Sequence, residues 1–309
     1  MIMRKPSRLV PGDRVAIVAP ASPFDREAFD QGVAEIRRLG LMPVITEGVF
    51  ARRGYVAGDA IGRAEALTRA WCDPSISAVM AARGGYGSAQ LLPFLDTAVI
   101  REFNKPFIGY SDLTALLVYL TTLCNQVCFH GPMVVNMAGG EVGYDRDSFR
   151  RCLMSSAPIG ELAAEGLESC LVGEASGPLL GGTLTQLVAS LGTPFAFDPP
   201  PGYILLLDEI GERPYRIDRM LTQLTASGVL ARAAAVVCGE FPNCDEPSSG
   251  RPTARGVVAD LLETFHGPVI FGLPTGHTVG PTLTVPLGVD VRVVGGSKPR
   301  VVVTESAVA

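Results

Sequence analysis

The chain has 309 residues, 47% of them hydrophobic and 18% charged, enough for two ordinary domains with packed cores. A net charge of −5 argues against a nucleic-acid binder, which needs a basic face for the phosphates. No apolar stretch approaches the roughly 18 residues of a membrane span, and Met1 to Val10 holds no apolar run of the kind a secretory signal needs.

In chain order, Arg14 to Ala19 reads as a buried strand, Asp25 to Leu39 as a helix ending at Gly40, and Met42 to Thr46 as a second strand. Asp59 to Trp71 is a helix and Ile76 to Ala82 a third strand, followed by the turn Arg83-Gly84-Gly85-Tyr86-Gly87. Pro106 to Gly109 is a short fourth strand and Leu113 to Leu123 an apolar helix. Strand and helix alternating in this way predict a parallel sheet covered on both faces. This first domain is expected over residues 1–155.

Residues 156–176 are small, glycine-rich and acidic, with no periodicity, and read as the crossing between domains. The second domain, 177–309, opens with Gly177 to Gly182 and a helix from Thr183 to Leu191. Strands at Tyr203 to Leu207 and Ala233 to Val237 alternate with helices at Tyr215 to Ala226 and Val257 to Phe265. Short strands at Leu283 to Pro286, Val289 to Val294 and Arg300 to Thr304 look antiparallel, which makes this domain mixed α/β. The seven scattered cysteines are odd in number and lack paired spacing, which suits reduced thiols in a cytoplasmic compartment. Cys124 and Cys128 are four apart, but partner ligands are missing nearby, so no metal site is expected.

Ser111 stands where a strand ends and a helix begins, in Gly109-Tyr110-Ser111-Asp112. A serine there can cap the helix with its hydroxyl. It can also be a nucleophile lifted above the sheet edge, with helix N–H groups available to an oxyanion. The last glycine of the usual G-x-S-x-G elbow is absent, with Leu113 in its place. The turn at 83–87 should emerge at the same carboxyl edge of the sheet, where open α/β sheets bind ligands. It is either a plain turn or a loop that approaches a ligand, and without a Lys-Ser/Thr ending it is not a nucleotide loop.

Of the three histidines, His277 lies in a loop rich in Gly and Pro after an apolar strand, a setting that suits a general base. His130 is at a strand end and His266 just past a helix. The strand Tyr203 to Leu207 stops at Asp208-Glu209, which places a carboxylate at a sheet edge. Adjacent strand residues face opposite ways, so only one of the two can orient His277.

These residues resemble the LD-carboxypeptidase family of serine peptidases (S66), sister to the microcin C immunity peptidases. The matching blocks are Gly12 to Val15 with Ala19 to Ser22, Ala82 to Gly87, Gly109 to Asp112, His130 to Met133, Leu180 to Thr183, Gly192 to Pro194, Pro214 to Leu221, and Gly276-His277. The resemblance implies a flavodoxin-like N-terminal domain carrying the nucleophile and a smaller swivelling C-terminal domain carrying the acid and the histidine. It implies Ser111 as nucleophile and His277 as its base. The family's usual Glu-Asp is reversed here to Asp208-Glu209. A one-residue slip would turn a buried strand over, so Asp208 is the expected acid and Glu209 the alternative.

The implied reaction removes the terminal D-alanine of a murein tetrapeptide at meso-diaminopimelate, with no metal or organic cofactor and no membrane or nucleic-acid partner. The oxyanion would meet N–H groups of Gly85 and Asp112. Arg83, Tyr86 and Arg213 are candidates for holding the substrate, with Arg216 and Arg219 beside them. Homodimers are implied as well. An acylated nucleotide as substrate, or an inactive ligand-binding relative, are the competing readings.

Overall fold

The computed structural model describes residues 3–162, 164–249 and 251–309. Met1, Ile2 and Ala163, which fall in the N-terminal stretch and the crossing segment read above, lie outside them, as does Gly250.

The first half alternates β1 (Arg14–Val18), α1 (Arg26–Arg38), β2 (Met42–Ile45), α2 (Ala60–Cys72), β3 (Ala78–Ala81), α3 (Thr97–Glu102), β4 (Phe107–Gly109), α4 (Thr114–Val118), β5 (Cys128–His130) and α5 (Arg146–Leu153). Its strands lie side by side in the order β2-β1-β3-β4-β5, all parallel, the flavodoxin-like winding. Strands β3, β4 and β5 are buried at every position, as a sheet with both faces covered requires, while edge strand β2 exposes Met42 and Ile45. Helix α1 shows how the sequence sets its own limits. Asp25 caps it by accepting the Ala28 N–H at 2.9 Å, Arg37 and Arg38 fill its last turn, and Phe29, Val33 and Ile36 bury one stripe.

The second half contains β6 (Gly160–Glu161), β7 (Glu168–Leu171), β8 (Gly173–Thr183), α6 (Leu184–Ser190), β9 (Tyr203–Asp208), α7 (Pro214–Ala226), α8 (Val229–Arg232), β10 (Ala233–Gly239), α9 (Ala254–Leu261), β11 (Val269–Leu273), β12 (Val285–Leu287), β13 (Asp290–Gly295) and β14 (Arg300–Val303). The sheet order is β6-β14-β13-β8-β9-β10-β11-β7, with a parallel centre from β8 to β11 and antiparallel flanks. The mixed α/β character expected of this half is therefore present.

Four details differ from the sequence reading. The crossing segment carries β6, β7 and the start of β8; the first two are edge strands, half exposed on both faces, and so show no period. Gly177 to Gly182 is strand rather than a lead-in. Its glycines are needed because a Cβ at Gly181 would sit 2.1 Å from the Leu206 carbonyl oxygen. The strand read at 283–286 does not join the second sheet; as β12 it runs antiparallel to β5, with Val285 opposite His130. Helix α9 starts at Ala254, capped by Thr253 accepting the Gly256 N–H at 3.0 Å, and ends before Phe265.

One continuous core spans both sheets, joining Phe107, Ile108 and Phe129 of the first to Leu179, Ile204, Leu206 and Ile270 of the second. Each such side chain contributes about 1.5–3 kcal/mol by leaving water, so the two sheets are held as one body. A second core lies on the far face of the second sheet, around Leu205, Leu207, Ile217 and Leu221. All seven cysteines are free; Cys124 and Cys128 are buried, and burial pushes the Cys124 thiol up to about 12.

Candidate active site

Strand β4 ends at Gly109, and Ser111 then adopts φ 65°, a left-handed backbone that costs an ordinary residue about 1–2 kcal/mol. The turn Ser111–Leu113 leads into α4. The capping alternative fails, because neither this turn nor α4 has a side-chain cap and Ser111 Oγ has no hydrogen-bond partner among the described residues. The missing second glycine of the elbow is explained by Leu113. A Cβ at Gly109 would come within 3.2 Å of Leu113 Cγ, so Gly109 alone makes the room and Leu113 fills it.

The glycine turn packs directly on this serine. A Cβ at Gly84 would stand 3.1 Å from Ser111 Cβ, so the backbone of the turn lies against the hydroxyl. Gly85 has φ 103°, and a Cβ there would strike Ser22 Oγ at 2.5 Å. Ser22 is the post that holds the turn: its N–H reaches the Gly84 carbonyl at 3.1 Å, and its hydroxyl accepts the Tyr86 N–H at 3.1 Å. The Gly85 N–H has no acceptor among the described residues. Asp112 is buried and fastens the turn from the other side, Oδ2 accepting the Ser88 N–H at 2.8 Å and its carbonyl accepting the Ser88 hydroxyl at 2.5 Å. Arg63, also buried, donates to the Gly87 carbonyl at 2.9 Å and to Gln90 Oε1 at 2.6 Å.

The second sheet supplies the acid and the histidine. Asp208, the last residue of β9, is fully buried. Its Oδ2 accepts His277 Nδ1–H at 2.8 Å and Thr183 Oγ1–H at 3.1 Å, and its Oδ1 accepts the His277 backbone N–H at 2.9 Å. Because the carboxylate only accepts, Nδ1 carries the ring proton and Nε2 keeps its lone pair. His277 is 13% exposed, so part of its ring reaches the surface. Its ring meets that of Tyr110, the residue before Ser111, edge to face at 5.0 Å. Gly276 makes the contact possible, since a Cβ there would lie 2.6 Å from Asp208 Cγ. Beyond the histidine, Glu240 holds the loop by accepting the Thr278 hydroxyl at 2.5 Å and the Val279 N–H at 2.7 Å.

Glu209 faces the other way. Its Oε2 accepts the Thr185 N–H at 2.9 Å and hydroxyl at 2.7 Å, and Oε1 accepts its neighbour Ile210 N–H at 3.0 Å. It thus serves the first turn of α6, and burial raises its pKa. The Asp208 and Glu209 side chains diverge, as alternation carried one residue past the end of β9 requires.

His130 joins this cluster from the first sheet, fully buried, with Nδ1 3.1 Å from Thr275 Oγ1. Burial drives its pKa down to about 4, against the opposing pull of Asp208. His266 lies away from this cluster, exposed against Phe265.

The other site residues expected from sequence are exposed, each with a partner of its own. Arg83 is exposed and donates to the Pro23 carbonyl at 2.8 Å. Tyr86 is exposed and packs edge to face on Tyr55 at 5.3 Å. Arg213 is paired with Glu246 at 2.9 Å and Arg216 with Glu212 at 3.1 Å, while Arg219 lies over the Tyr215 ring. Ser22 and Thr183 stand in the blocks shared with the family but, like Thr275 and Glu240, were assigned no part in the site from sequence; the structure sets Thr183 directly opposite Asp208 in the β8–β9 register.

Comparisons with known proteins agree with this architecture. Residues 15–131 match the LD-carboxypeptidase N-terminal domain and residues 176–293 the LD-carboxypeptidase C-terminal domain. The chain is 32% identical to the "probable murein peptide carboxypeptidase" of Bacillus subtilis, over 96% of this chain and 94% of that one. It is 31% identical to the murein tetrapeptide carboxypeptidase of Pseudomonas aeruginosa, over 85% and 88%. Its fold superimposes on the microcin C7 self immunity protein MccF in complex with aspartyl sulfamoyl adenosine, with a TM-score of 0.90 at 23% identity, covering 99% of this chain and 100% of that one. With both domain models matched in order along one chain, this protein belongs to the LD-carboxypeptidase family, S66, and its relatives named carboxypeptidases support a peptidase role.

Proposed function

We propose that the chain is a serine LD-carboxypeptidase that releases D-alanine from a murein tetrapeptide in the cytoplasm, acting as a homodimer. The observation that carries this reading is the two-point grip of Asp208 on His277, whose ring packs on Tyr110 next to the strained Ser111. In this mechanism Ser111 Oγ attacks the terminal peptide carbonyl as His277 Nε2 takes its proton. Asp208 keeps the proton on Nδ1 and stabilises the imidazolium that forms. The oxyanion is received by the N–H groups of Gly85 and Asp112. His277 then protonates the departing amine of D-alanine, and water, activated by the same nitrogen, hydrolyses the ester to free Ser111.

A carboxypeptidase also has to grip a free carboxylate, for which a guanidinium fork is suited. Arg83 is the best placed of the candidates, since Gly84, next in sequence, lies against Ser111. Arg213 and Arg216 are occupied by Glu246 and Glu212 and would have to exchange partners. An acylated nucleotide is the second reading, favoured by the Tyr55–Tyr86 pair beside the glycine turn, whose rings stand edge to face and are both exposed, leaving a ring available to stack on a base. Trp71 offers none, being buried with its ring N–H on the Ile100 carbonyl.

The experiment is mass spectrometry of L-Ala-γ-D-Glu-meso-diaminopimelate-D-Ala incubated with the wild type and with Ser111→Ala. Release of D-alanine by the wild type alone supports the proposal. Cleavage of an aminoacyl sulfamoyl nucleoside without cleavage of the tetrapeptide would move the assignment to the second reading.

A further inference from the structure

His130 Nε2 is buried and has no hydrogen-bond partner among the described residues, yet it lies 3.9 Å from Asp208 Oδ2. A buried polar atom left in this state calls for an explanation. The other ring nitrogen, Nδ1, is 3.1 Å from Thr275 Oγ1, which is itself 3.1 Å from the Leu283 carbonyl. Thr275 has one hydroxyl proton to give. If it goes to Leu283, His130 must carry its own proton on Nδ1, and the Nε2 lone pair faces a carboxylate. If it goes to Nδ1, the imidazole proton sits on Nε2 and faces Asp208. The first arrangement sets a lone pair against an anion in a dry interior, where the repulsion is poorly screened. The second leaves only a neutral carbonyl without that proton, a smaller loss. Packing keeps the ring in place: a Cβ at Gly276 would lie 2.6 Å from both His130 Cε1 and Asp208 Cγ, so the three residues form one block.

We propose that His130 is a positioning residue for the acid, a neutral imidazole protonated on Nε2 whose N–H faces Asp208 Oδ2 and fixes it against the sheet that carries Ser111. The inference rests on the roles proposed above for Asp208 and His277. Oδ2 is then served by two hydrogen-bond donors, His277 Nδ1 and Thr183 Oγ1, and faces the His130 N–H dipole at 3.9 Å. That dipole, held by the first sheet, favours the ionised carboxylate in the orientation His277 needs. The titratable groups facing this block are Asp208 from β9, His277 from the loop after β11, and Tyr110 from the end of β4, whose phenol burial keeps un-ionised. His130 itself stays neutral through the working range.

The test is nitrogen-15 NMR of the histidine rings together with kinetics, on the wild type, His130→Asn and His130→Gln. A glutamine amide can place an N–H where Nε2 stands, whereas asparagine reaches only the Nδ1 position. The wild-type ring is expected to be protonated on Nε2. In His130→Asn the His277 ring loses part of its preference for the proton on Nδ1, read in its nitrogen-15 shifts, and kcat falls by about threefold to tenfold with KM little changed. His130→Gln brings both back toward the wild-type values. A wild-type His130 ring protonated on Nδ1, or the same His277 shifts and kcat in both variants, overturns the proposal. Should His130→Asn fail to fold, the wild-type tautomer and His130→Gln decide. The nitrogen-15 spectra need no substrate, so a failure of all forms to cleave the peptide would sink the peptidase reading and leave this one to the NMR.

Discussion

Asp208 holds His277 by two atoms at once, Oδ1 on the backbone N–H at 2.9 Å and Oδ2 on the ring Nδ1 at 2.8 Å. The first bond fixes where the loop sits and the second fixes how the ring turns. An aspartate is one methylene shorter than the family's usual glutamate, and Gly276 compensates by letting the loop backbone come down onto the carboxylate.

Exchanging the two acids separates their tasks. Asp208→Asn should lower kcat by roughly 10³–10⁴-fold with little change in KM, because the amide favours the wrong tautomer of His277. Glu209→Gln should keep kcat within about tenfold but lower the unfolding free energy by about 1–3 kcal/mol, because it disturbs a buried cap on α6. Steady-state kinetics and denaturant titration read the two effects. A dead Glu209→Gln beside an active Asp208→Asn would reverse the assignment.

Gly276→Ala asks whether the close approach matters. The residue has φ 69°, and the new methyl would meet Asp208 and His130 at 2.6 Å, both parts of a packed block. We expect kcat/KM to fall by about 10²-fold or more, the scale of an ångström-sized misplacement. Wild-type kinetics in this variant would mean that the loop can sit elsewhere without cost.

Ser111 stores strain that a substitution can release. Ser111→Ala and Ser111→Gly should both abolish turnover. The glycine variant should be the more stable of the two by about 1 kcal/mol, since only glycine adopts φ 65° freely. Paired denaturant titrations check this; equal stabilities would show that the elbow is relaxed.

Much of the site was legible because it falls at strand ends. Ser111 and His277 each follow a short apolar strand with glycines around the turn, which marks a sheet edge from sequence alone. The choice between Asp208 and Glu209 was legible only in part. Alternation says that the two face opposite ways, but not which face carries His277; Thr185 on α6 answers that by taking Glu209. β12 was misplaced because a strand of three residues has no local sign of its partner, and the first sheet recaptures it from more than a hundred residues away. The edge strands β6 and β7 were missed because neither face is fully buried, so no period of two survives.

The last prediction concerns acid stability. His130 is buried and neutral, with a folded pKa near 4 against 6.5 for a free imidazole. Between those two values the unfolded chain binds a proton that the folded protein refuses, so unfolding is favoured as pH falls. His130 therefore adds stability that is fully present above about pH 6.5 and is lost as the pH drops through about 4, a change of about 3 kcal/mol from this residue. His130→Gln has no imidazole to titrate and should show a flatter curve across the same window. Urea titrations of both proteins at stepped pH give the slopes. Parallel curves between pH 6.5 and 4 would mean that His130 takes up its proton in the folded state as readily as in the unfolded one, and that its burial against Asp208 does not govern its charge.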